Sequence, residues 1–299
     1  MKFIKVGSDI NASRLSYGCM RIGNKTEREA EAVVKTALEC GINFFDNADI
    51  YCSGKSEEFF GKAIKNIKRD ELYIQSKCGI RKGFYDFSKE HIISSVEASI
   101  KRINCDYLDV LCLHRPDVLM DGEEVAQAFE ALYSRGLVRN FGVSNFNPMQ
   151  IELLKKYVEF PIIVNQLQLG VFHTGMIDSG MCVNMDNGFS VDKDGAVLPY
   201  CQLNDMIIQA WGPLRSKNGI FSDDETVSGQ SRKLAEKAED FGVSKEAMAV
   251  AFISRINNVQ PILGTTSPER LKLLAESENV KLSRKQWYEI YREMGNIVP

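Results

Sequence analysis

The stretch VRNFGVSNFNPMQIELLKKYVEFPIIVN, residues 138–165, decides the fold. Two short apolar runs in it, Val138–Val143 and Ile162–Asn165, predict strands. The residues Pro148–Tyr157 between them predict a helix. Neither run alternates cleanly between polar and apolar residues, which is the pattern of strands that are buried on both faces. A buried strand, a helix and a second buried strand together indicate a parallel sheet with helices packed against it.

This alternation recurs along the chain. Six more apolar runs predict strands at Arg14–Tyr17, Asn43–Phe45, Leu72–Ser76, Leu108–Leu113, Met206–Trp211 and Gln260–Leu263. Six more helices are predicted at Thr26–Cys40, Ser56–Lys65, Ser88–Arg102, Gly122–Arg135, Gly229–Phe241 and Ser267–Ser277. The first of these helices starts with a capping-box pattern, Thr26 followed by Glu29. The chain therefore contains eight predicted strands, most of them followed by a helix.

Eight such units predict a single (β/α)8 TIM barrel domain over residues 1–299, with the active site at the C-terminal face of the strands. An open, doubly wound sheet is the alternative. The G-x-G-x-x-G fingerprint of dinucleotide-binding open sheets is missing after the first strand, where SYGCMRIGN (residues 16–24) spaces its glycines too widely. Its absence favours the barrel.

One segment does not follow this alternation of strands and helices. Gly170–Tyr200 is rich in Gly and Asp, shows no hydrophobic period and is too long for a plain connector. We expect it to be a surface excursion near the mouth of the active site. Near the C-terminus, Trp287 and Tyr291 stand at helical spacing and predict a helix packed on the barrel.

Composition narrows the class of protein. The chain has 299 residues, of which 44% are hydrophobic and 26% charged, and its net charge of −3 favours neither nucleic acid nor an acidic membrane as a partner. Eight cysteines without a C-x-x-C pair indicate neither a zinc site nor a redox dithiol, and three histidines without an H-x-H or H-x-x-E pattern argue against a metal-dependent hydrolase. The N-terminus turns polar too early for a secretion signal. We expect a cytoplasmic protein without a metal.

Polar side chains recur at the predicted C-terminal ends of successive strands. In a barrel, these ends converge on one face, where catalytic residues are found. The residues concerned are Asp46 and Tyr51 after the second strand, Lys77 after the third, His114 after the fourth, Ser144 and Asn145 after the fifth, and Gln166 after the sixth.

The first four of these residues suit one kind of chemistry. A free tyrosine has a pKa of about 10, which is too high for efficient proton transfer at neutral pH, and an adjacent ammonium such as Lys77 would lower it. Asp46 would keep Lys77 charged, and His114 could donate a hydrogen bond to a substrate carbonyl oxygen. The set fits protonation of a carbonyl by Tyr51 while a cofactor delivers hydride, which no side chain can donate.

Each residue taken alone also has a plainer interpretation. Tyr51 could cap the core at the rim, Lys77 and Asp46 could be a structural ion pair, and His114 could be a core histidine. Ser144–Asn145 could cap the fifth helix, because both residue types are favoured at N-caps. Asp49 is expected to fix its loop, and Cys52 and Cys78 are expected to be small packing residues. The joint occurrence at strand ends favours the catalytic interpretation.

The motifs at these positions resemble those of the aldo-keto reductase superfamily, and within it those of the bacterial YdhF-like oxidoreductases. They are FDNADIY (45–51), SKCG (76–79), LHRPD (113–117), GVSNF (142–146) and NQLQ (165–168), followed by AWGPL (210–214), GTTSPERL (264–271) and the C-terminal QWYEIYREMGNIVP (286–299). The resemblance covers essentially the whole chain.

This resemblance implies a catalytic tetrad of Asp46, Tyr51, Lys77 and His114, with Tyr51 as general acid in reduction and general base in oxidation. It implies hydrogen bonds from Ser144, Asn145 and Gln166 to the nicotinamide carboxamide of NADPH, and stacking of Trp211 on the nicotinamide ring. Further cofactor-binding positions implied by the resemblance are Gly18, Met20, Arg21, Gly212, Leu214, Ser216, Gly264, Thr265, Thr266 and Arg270.

The chain departs from well-known members at three points. Gly264 stands where many have a lysine that contacts the 2′-phosphate, Leu274 stands where an asparagine often contacts adenine, and Trp211 replaces a commoner Tyr or Phe. NADPH remains favoured over NADH because Arg270 is present to pair with the phosphate.

The resulting prediction is an NADP(H)-dependent oxidoreductase that reduces a small-molecule aldehyde or ketone to an alcohol. The alternative is a non-catalytic NADP(H)-binding regulatory or sensor barrel. Arg115, Phe172 and His173 are expected to line the substrate pocket.

Overall fold

The computed structural model describes residues 1–299, and its core is a closed barrel of eight parallel strands. The barrel strands, in chain order, are Ser16–Gly18, Phe44–Asp46, Tyr73–Cys78, Leu108–Leu113, Val138–Ser144, Ile162–Gln168, Ile207–Trp211 and Val259–Leu263. Each strand pairs with its neighbour in sequence, and the eighth pairs with the first through Leu263 and Tyr17. The predicted TIM barrel is therefore confirmed, and the open sheet is wrong.

All seven helices predicted between and after the strands are present, with ends shifted by at most two residues. They span Glu27–Glu39, Lys55–Ile64, Lys89–Ile103, Gly122–Ser134, Pro148–Lys155, Ser228–Glu239 and Pro268–Ala275. The Thr26–Glu29 capping box forms as predicted. Short 3-10 turns lie at Ile22–Asn24, Tyr51–Gly54, Arg69–Glu71, Gly188–Ser190, Phe221–Asp223, Glu225–Val227 and Glu276–Asn279. None of the helices combines the length and apolar character that crossing a bilayer requires.

Four helices lie outside the seven predicted between strands. The C-terminal helix Arg284–Glu293 confirms the prediction from Trp287, whose ring stacks on Phe252 at a centroid distance of 4.6 Å. Two short helices, Gly175–Met181 and Val197–Leu203, lie in the excursion that was expected to have no regular period. The fourth, Lys245–Ser254, was not predicted because its residues from Ala247 onward are all buried and show no amphipathic pattern.

Three hairpins were also not predicted. Two are minimal, Ile80–Arg81 with Phe84–Tyr85 and Arg215–Ser216 with Gly219–Ile220. The third pairs Phe3–Val6 with Ile10–Ser13 and packs Val6, Ile10 and Ala12 against a cluster that includes the strand residues Phe44, Val110, Ile163 and Ile207. This hairpin closes the N-terminal end of the barrel, so the polar side chains inside can be approached only from the C-terminal face.

Candidate active site

The centre of the site is the ammonium group of Lys77, whose residue is only 1% exposed. Its Nζ donates to Asp46 Oδ1 over 2.7 Å, to the backbone carbonyl of Asn47 over 2.6 Å and to the phenol oxygen of Tyr51 over 3.0 Å. A lysine ammonium has three N–H donors and no acceptor. All three donors are therefore used, and the orientation of the ammonium group is fixed.

The charge of Lys77 is maintained by its neighbours. Burial alone lowers the pKa of a lysine, but the charge of Asp46 and the hydrogen bonds to Asp46 and Tyr51 outweigh it and raise the pKa of Lys77 above its ordinary value. Lys77 consequently stays protonated at neutral pH. The predicted Asp46–Lys77 pairing is present in the structure.

Tyr51 keeps its own proton available. Because the phenol oxygen accepts from Lys77, the phenol O–H points elsewhere and can donate to a bound group. Burial raises the pKa of Tyr51, and the lowering effect of Lys77 is smaller than this rise. The expectation of a lowered pKa is therefore wrong for the free protein. Lys77 lowers the pKa of Tyr51 as expected, but desolvation raises this pKa by more. The phenol is therefore protonated and suited to act as an acid.

A turn in left-handed conformation carries Tyr51. The next three residues, Cys52, Ser53 and Gly54, have φ angles of 50°, 56° and 90°. Cys52 was expected to be a packing residue, but its thiol sulfur lies 3.3 Å from both the carbonyl oxygen of Met20 and the side-chain oxygen of Asn24, and its single S–H can donate to either. These contacts tie the turn to the loop that follows the first barrel strand.

A buried ion pair that was not predicted supports the same turn. Arg102 Nε donates to the fully buried Glu57 over 2.7 Å, and Ser76 Oγ donates to the other carboxylate oxygen over 2.6 Å. The Arg102 side chain lies so close to Gly54 that a Cβ there would approach it to 2.8 Å. The contact connects the turn after Tyr51 with the strand residue that precedes Lys77.

Asp49 holds its loop through the backbone. Its N–H donates to the carbonyl of Lys77 over 3.0 Å, as the loop-fixing interpretation requires, while its Oδ1 is buried without a partner. Burial, aided by the charge of Glu57, raises the pKa of Asp49 to about 6.

His114 faces Tyr51 edge-on, with ring centroids 6.0 Å apart and planes at 80°. Burial, together with the charges of Lys77 and Arg115, lowers the pKa of His114 to about 2, so the imidazole is neutral. Its Nδ1 is buried and has no partner in the protein. A neutral imidazole at this position can donate one hydrogen bond to a small ligand oxygen without adding charge.

Gln166, expected to contact a nicotinamide, directs its amide nitrogen into the barrel. Its Nε2 donates to Asp46 Oδ1 over 2.9 Å and approaches Gln209 Oε1 at 3.3 Å. Gln75 Nε2 donates to the same two acceptors, at 2.7 Å each. Asp46 is thus surrounded by two amide donors in addition to Lys77, and neither Gln75 nor Gln209 was predicted as part of the site.

Ser144, Asn145 and Trp211 form a connected group at the barrel mouth. Trp211 Nε1 donates to Asn145 Oδ1 over 3.2 Å, and Asn145 Nδ2 donates to Ser144 Oγ over 2.8 Å. Asn145 has a left-handed φ of 63°. The alternative role of Ser144–Asn145 as a helix cap is wrong, because Asn147 caps the helix Pro148–Lys155 with its own side chain.

The loop after Trp211 borders a cavity of about 350 Å³. Gly212 has a φ of 65°, which allows the chain to turn sharply, and Ser216 Oγ donates to Asp224. The cavity is lined by Gln168, Phe172, His173, Arg215, Ser216 and Lys217. Two cationic side chains and a backbone turn suit a phosphate-bearing ligand. Phe172 and His173 line this cavity and Arg115 does not, so the expectation that all three line the substrate pocket stays a prediction.

A second cationic region lies at the end of the eighth strand. Arg21 Nη2 is 4.0 Å from the position that a Cβ on Gly264 would occupy. Tyr17 donates to the carbonyl of Thr265, and the backbone N–H of Arg270 is bonded to the Ser267 cap of the following helix. Neither Arg21 nor Arg270 is in a salt bridge, so both guanidinium groups are free to pair with an anionic ligand.

The aldo/keto reductase family model matches residues 14–292 of the chain. The chain belongs to this family. Oxidoreductase YdhF of Escherichia coli is 32% identical over 98% of this chain and 97% of its own length. The 6-dehydroglucose reductase of Agrobacterium fabrum is 31% identical, with 97% of each chain covered. A crystal structure of an aldo/keto reductase from Klebsiella pneumoniae with NADP and acetate superposes with a TM-score of 0.81 at 22% identity, covering 99% of this chain and 96% of its own.

In this aldo/keto reductase, six of the seven strand-end residues predicted as site residues lie in two hydrogen-bonded groups, and the seventh, His114, packs against one of them. Asp46, Tyr51, Lys77 and Gln166 form the first group, and Ser144 and Asn145 belong to the second with Trp211. The catalytic and cofactor-binding roles of all the site residues stay predictions, including those of Gly18, Met20, Leu214 and Thr266.

Proposed function

We propose that this aldo/keto reductase is an NADP(H)-dependent oxidoreductase that reduces an aldehyde or ketone to an alcohol. The observation that carries the proposal is the saturation of the Lys77 ammonium by Asp46, Asn47 and Tyr51. An oriented ammonium bonded to a phenol oxygen leaves the phenol proton directed outward and stabilises the phenolate that remains after proton transfer.

Each residue of the tetrad has a distinct role in this proposal. Tyr51 donates its proton to the substrate carbonyl oxygen in reduction and takes it back in oxidation. The neutral His114 donates a hydrogen bond that orients the same oxygen. Lys77 stabilises the Tyr51 phenolate, and Asp46 keeps Lys77 charged. Bound NADPH would supply the hydride.

The residues predicted to bind the cofactor each suit one part of NADPH. Trp211 offers an aromatic face for the nicotinamide ring, and Ser144, Asn145 and Gln166 offer amide and hydroxyl groups for its carboxamide. The loop with Gly212, Leu214 and Ser216 would lie along the pyrophosphate. The adenosine 2′-phosphate would be bound by the segment with Gly264, Thr265, Thr266 and Arg270. The adjacent strand end would contribute Gly18, Met20 and Arg21. The free guanidinium groups of Arg21 and Arg270 support NADPH over NADH.

The test is a Tyr51→Phe substitution assayed by NADPH oxidation with 4-nitrobenzaldehyde, alongside fluorescence titration of NADPH. We expect the variant to bind NADPH as the parent does and to lose turnover by a factor on the order of 10² to 10⁴. Tyr133→Phe, which removes a half-exposed phenol that has no side-chain hydrogen bond, is the matched control and should leave turnover unchanged. Equal turnover in Tyr51→Phe and parent would overturn the assignment of the acid.

The alternative is the non-catalytic NADP(H)-binding regulator or sensor. It has no use for a protonated, lysine-bonded phenol at the barrel mouth, which is why we favour the enzyme. A parent protein that binds NADPH tightly but reduces no member of a broad aldehyde and ketone panel would support the regulator.

A further inference from the structure

Four buried glutamines cross the interior of the barrel in one hydrogen-bonded series, which we call the amide relay. It consists of Gln75, Gln166, Gln209 and Gln260, from the third, sixth, seventh and eighth strands; Gln166 is 4% exposed and the other three are fully buried. At one end, Gln75 and Gln166 donate to Asp46. At the other end, Gln260 donates to the backbone carbonyl of Ser13 over 2.8 Å. Ser13 belongs to the hairpin that closes the opposite end of the barrel.

The direction of every amide in the relay is fixed by its two ends. A carboxylate and a backbone carbonyl only accept hydrogen bonds, so amide NH2 groups must face both Asp46 and Ser13. The NH2 groups of Gln75 and Gln166 also reach Gln209, so Gln209 must present its oxygen to them. Its own NH2 group then faces the Gln260 oxygen, at 3.1 Å. Reversing any one amide would bring two acceptors together in a buried site.

This one-way order has an electrostatic consequence at Asp46. Two NH2 dipoles point at the carboxylate oxygen that also binds Lys77. Gln209 makes no hydrogen bond to Asp46, but it accepts a hydrogen bond from each of the two donors, Gln75 and Gln166. Gln75 Oε1 is buried without a partner, so Gln75 is held only through its NH2 group, by Asp46 on one side and Gln209 on the other.

We propose that Gln209 is a positioning residue that acts through Gln75 and Gln166 to hold Asp46 in the orientation that Lys77 requires. The catalytic consequence rests on the proposed reductase function. The structural consequence does not rest on that function: it is an energetic coupling between position 209 and Asp46 in the free energy of unfolding.

The most informative variant is Gln209→Glu. When protonated, the introduced carboxyl group can accept from Gln75 and Gln166 and donate to Gln260, so it preserves the relay. When ionised, it places a second negative charge beside Asp46 and has no proton for Gln260. We expect the ratio of variant to parent kcat to fall at least tenfold as the pH rises from about 5 to about 9, with a smaller change in the KM for NADPH.

Two further variants separate positioning from general damage. Gln209→Met removes the link between Gln75, Gln166 and Gln260 without adding a charge. Its kcat should be lower than that of the parent by the same factor at every pH. Val110→Ala alters a fully buried interior residue that pairs in register with Gln75 but makes no polar contact, and its kcat ratio to the parent should not change with pH. A pH-independent ratio for Gln209→Glu, or parent-like kcat in Gln209→Met, would overturn the proposal.

A double-mutant cycle distinguishes failure of the relay from failure of the reductase. The free energy of unfolding is measured at about pH 8 for Gln209→Met in the parent and in an Asp46→Asn background, so that no like-charge repulsion enters the coupling. We expect Gln209→Met to destabilise the parent background more, because the charged Asp46 there depends on the two donors that Gln209 anchors. If positions 46 and 209 are coupled but the protein reduces no carbonyl compound, the relay proposal stands and the reductase proposal is refuted. If the two positions are not coupled, the relay proposal is refuted whatever the turnover.

Discussion

Lys77 Nζ donates to the phenol oxygen of Tyr51 over 3.0 Å while its two other protons are held by Asp46 and a backbone carbonyl. The bond leaves Tyr51 protonated in the free protein, since burial raises its pKa more than the lysine lowers it. The ammonium therefore does not create a phenolate in advance. It provides the charge that stabilises one when a substrate takes the proton.

The first prediction concerns the buried pair itself. Lys77→Met should reduce turnover on the order of 10²-fold or more and, by leaving the Asp46 carboxylate buried without its partner, should lower the free energy of unfolding by about 3 to 5 kcal/mol. Urea unfolding and NADPH oxidation measure the two effects. The double variant Asp46→Asn with Lys77→Met should regain most of the stability, because an amide oxygen at position 46 still accepts from Gln75 and Gln166, and should regain none of the activity. A single variant as stable as the parent would contradict this account.

The barrel could be predicted from the sequence because its strands are continuous apolar runs separated by amphipathic helices. Leu108–Leu113 was predicted with both ends correct, since all six residues are buried and five of them are apolar, with Asp109 as the one polar residue. The helix Lys245–Ser254 could not be recognised in the same way, because burial on all sides removes the helical period. The N-terminal hairpin has only four residues in each strand, too few for a pattern to stand out.

The site was predictable only where a polar residue ends a strand. Asp46, Lys77 and His114 were recognised in this way, whereas Gln75 lies in the middle of a strand and Gln209 lies between Ile208 and Ala210. Along a barrel strand, successive side chains point alternately to the barrel interior and to the surrounding helices. The sequence therefore does not show whether a glutamine in such a strand points inward, or which side chains it would bond there. Glu57 and Arg102, 45 residues apart, likewise meet only through the packing of two helices.

The second prediction is a pH dependence of stability due to Asp49. Its pKa of about 6 in the folded protein lies above the ordinary value of about 3.9 in an unfolded chain. The folded state therefore binds more protons in this interval, and Asp49 destabilises the protein as the pH rises from about 4 to about 6. Asp49→Asn should raise the free energy of unfolding by about 3 kcal/mol at pH 7, with no gain below about pH 4.

Denaturant unfolding of parent and Asp49→Asn at several pH values measures this effect. Asp70→Asn, at an exposed position, should show no such pH-dependent difference. A gain in Asp49→Asn that is equally large at acid and neutral pH would point to packing rather than to the charge.

The third prediction concerns cofactor preference. Gly264 lacks a side chain, and the guanidinium of Arg21 lies beside it. We therefore expect Arg21 to share the 2′-phosphate charge with Arg270. Arg21→Gln and Arg270→Gln should each weaken NADPH binding on the order of tenfold, as expected for loss of a charge-assisted hydrogen bond, while NADH binding changes little.

Fluorescence titration with both cofactors gives the two dissociation constants for each variant. Arg284→Gln, at an exposed position in the C-terminal helix, serves as the control for the loss of one positive charge. Equal weakening of NADPH and NADH in Arg21→Gln would place Arg21 at a part of the cofactor that both share.

The fourth prediction uses two glycines with nearly the same backbone. Gly54 has a φ of 90° and Gly83 a φ of 91°, so an alanine at either position adopts a left-handed conformation that costs about 1 to 2 kcal/mol. At Gly83 no atom lies within 4 Å of the new Cβ, whereas at Gly54 the Cβ would meet Arg102 Cδ at 2.8 Å. Only Gly54→Ala should therefore displace Arg102 from Glu57 and move the turn that carries Tyr51.

Both variants should lose a similar backbone contribution to stability, with a larger total loss in Gly54→Ala. The decisive measurement is turnover at saturating NADPH, which Gly83→Ala should leave near the parent value and Gly54→Ala should reduce on the order of tenfold or more, because small displacements of a catalytic group have large effects on rate. Equal turnover in the two variants would show that the turn tolerates movement of Arg102. In that case the orientation of Tyr51 would depend on Lys77 alone, and the Arg102–Glu57 pair would contribute only to the packing of the two helices.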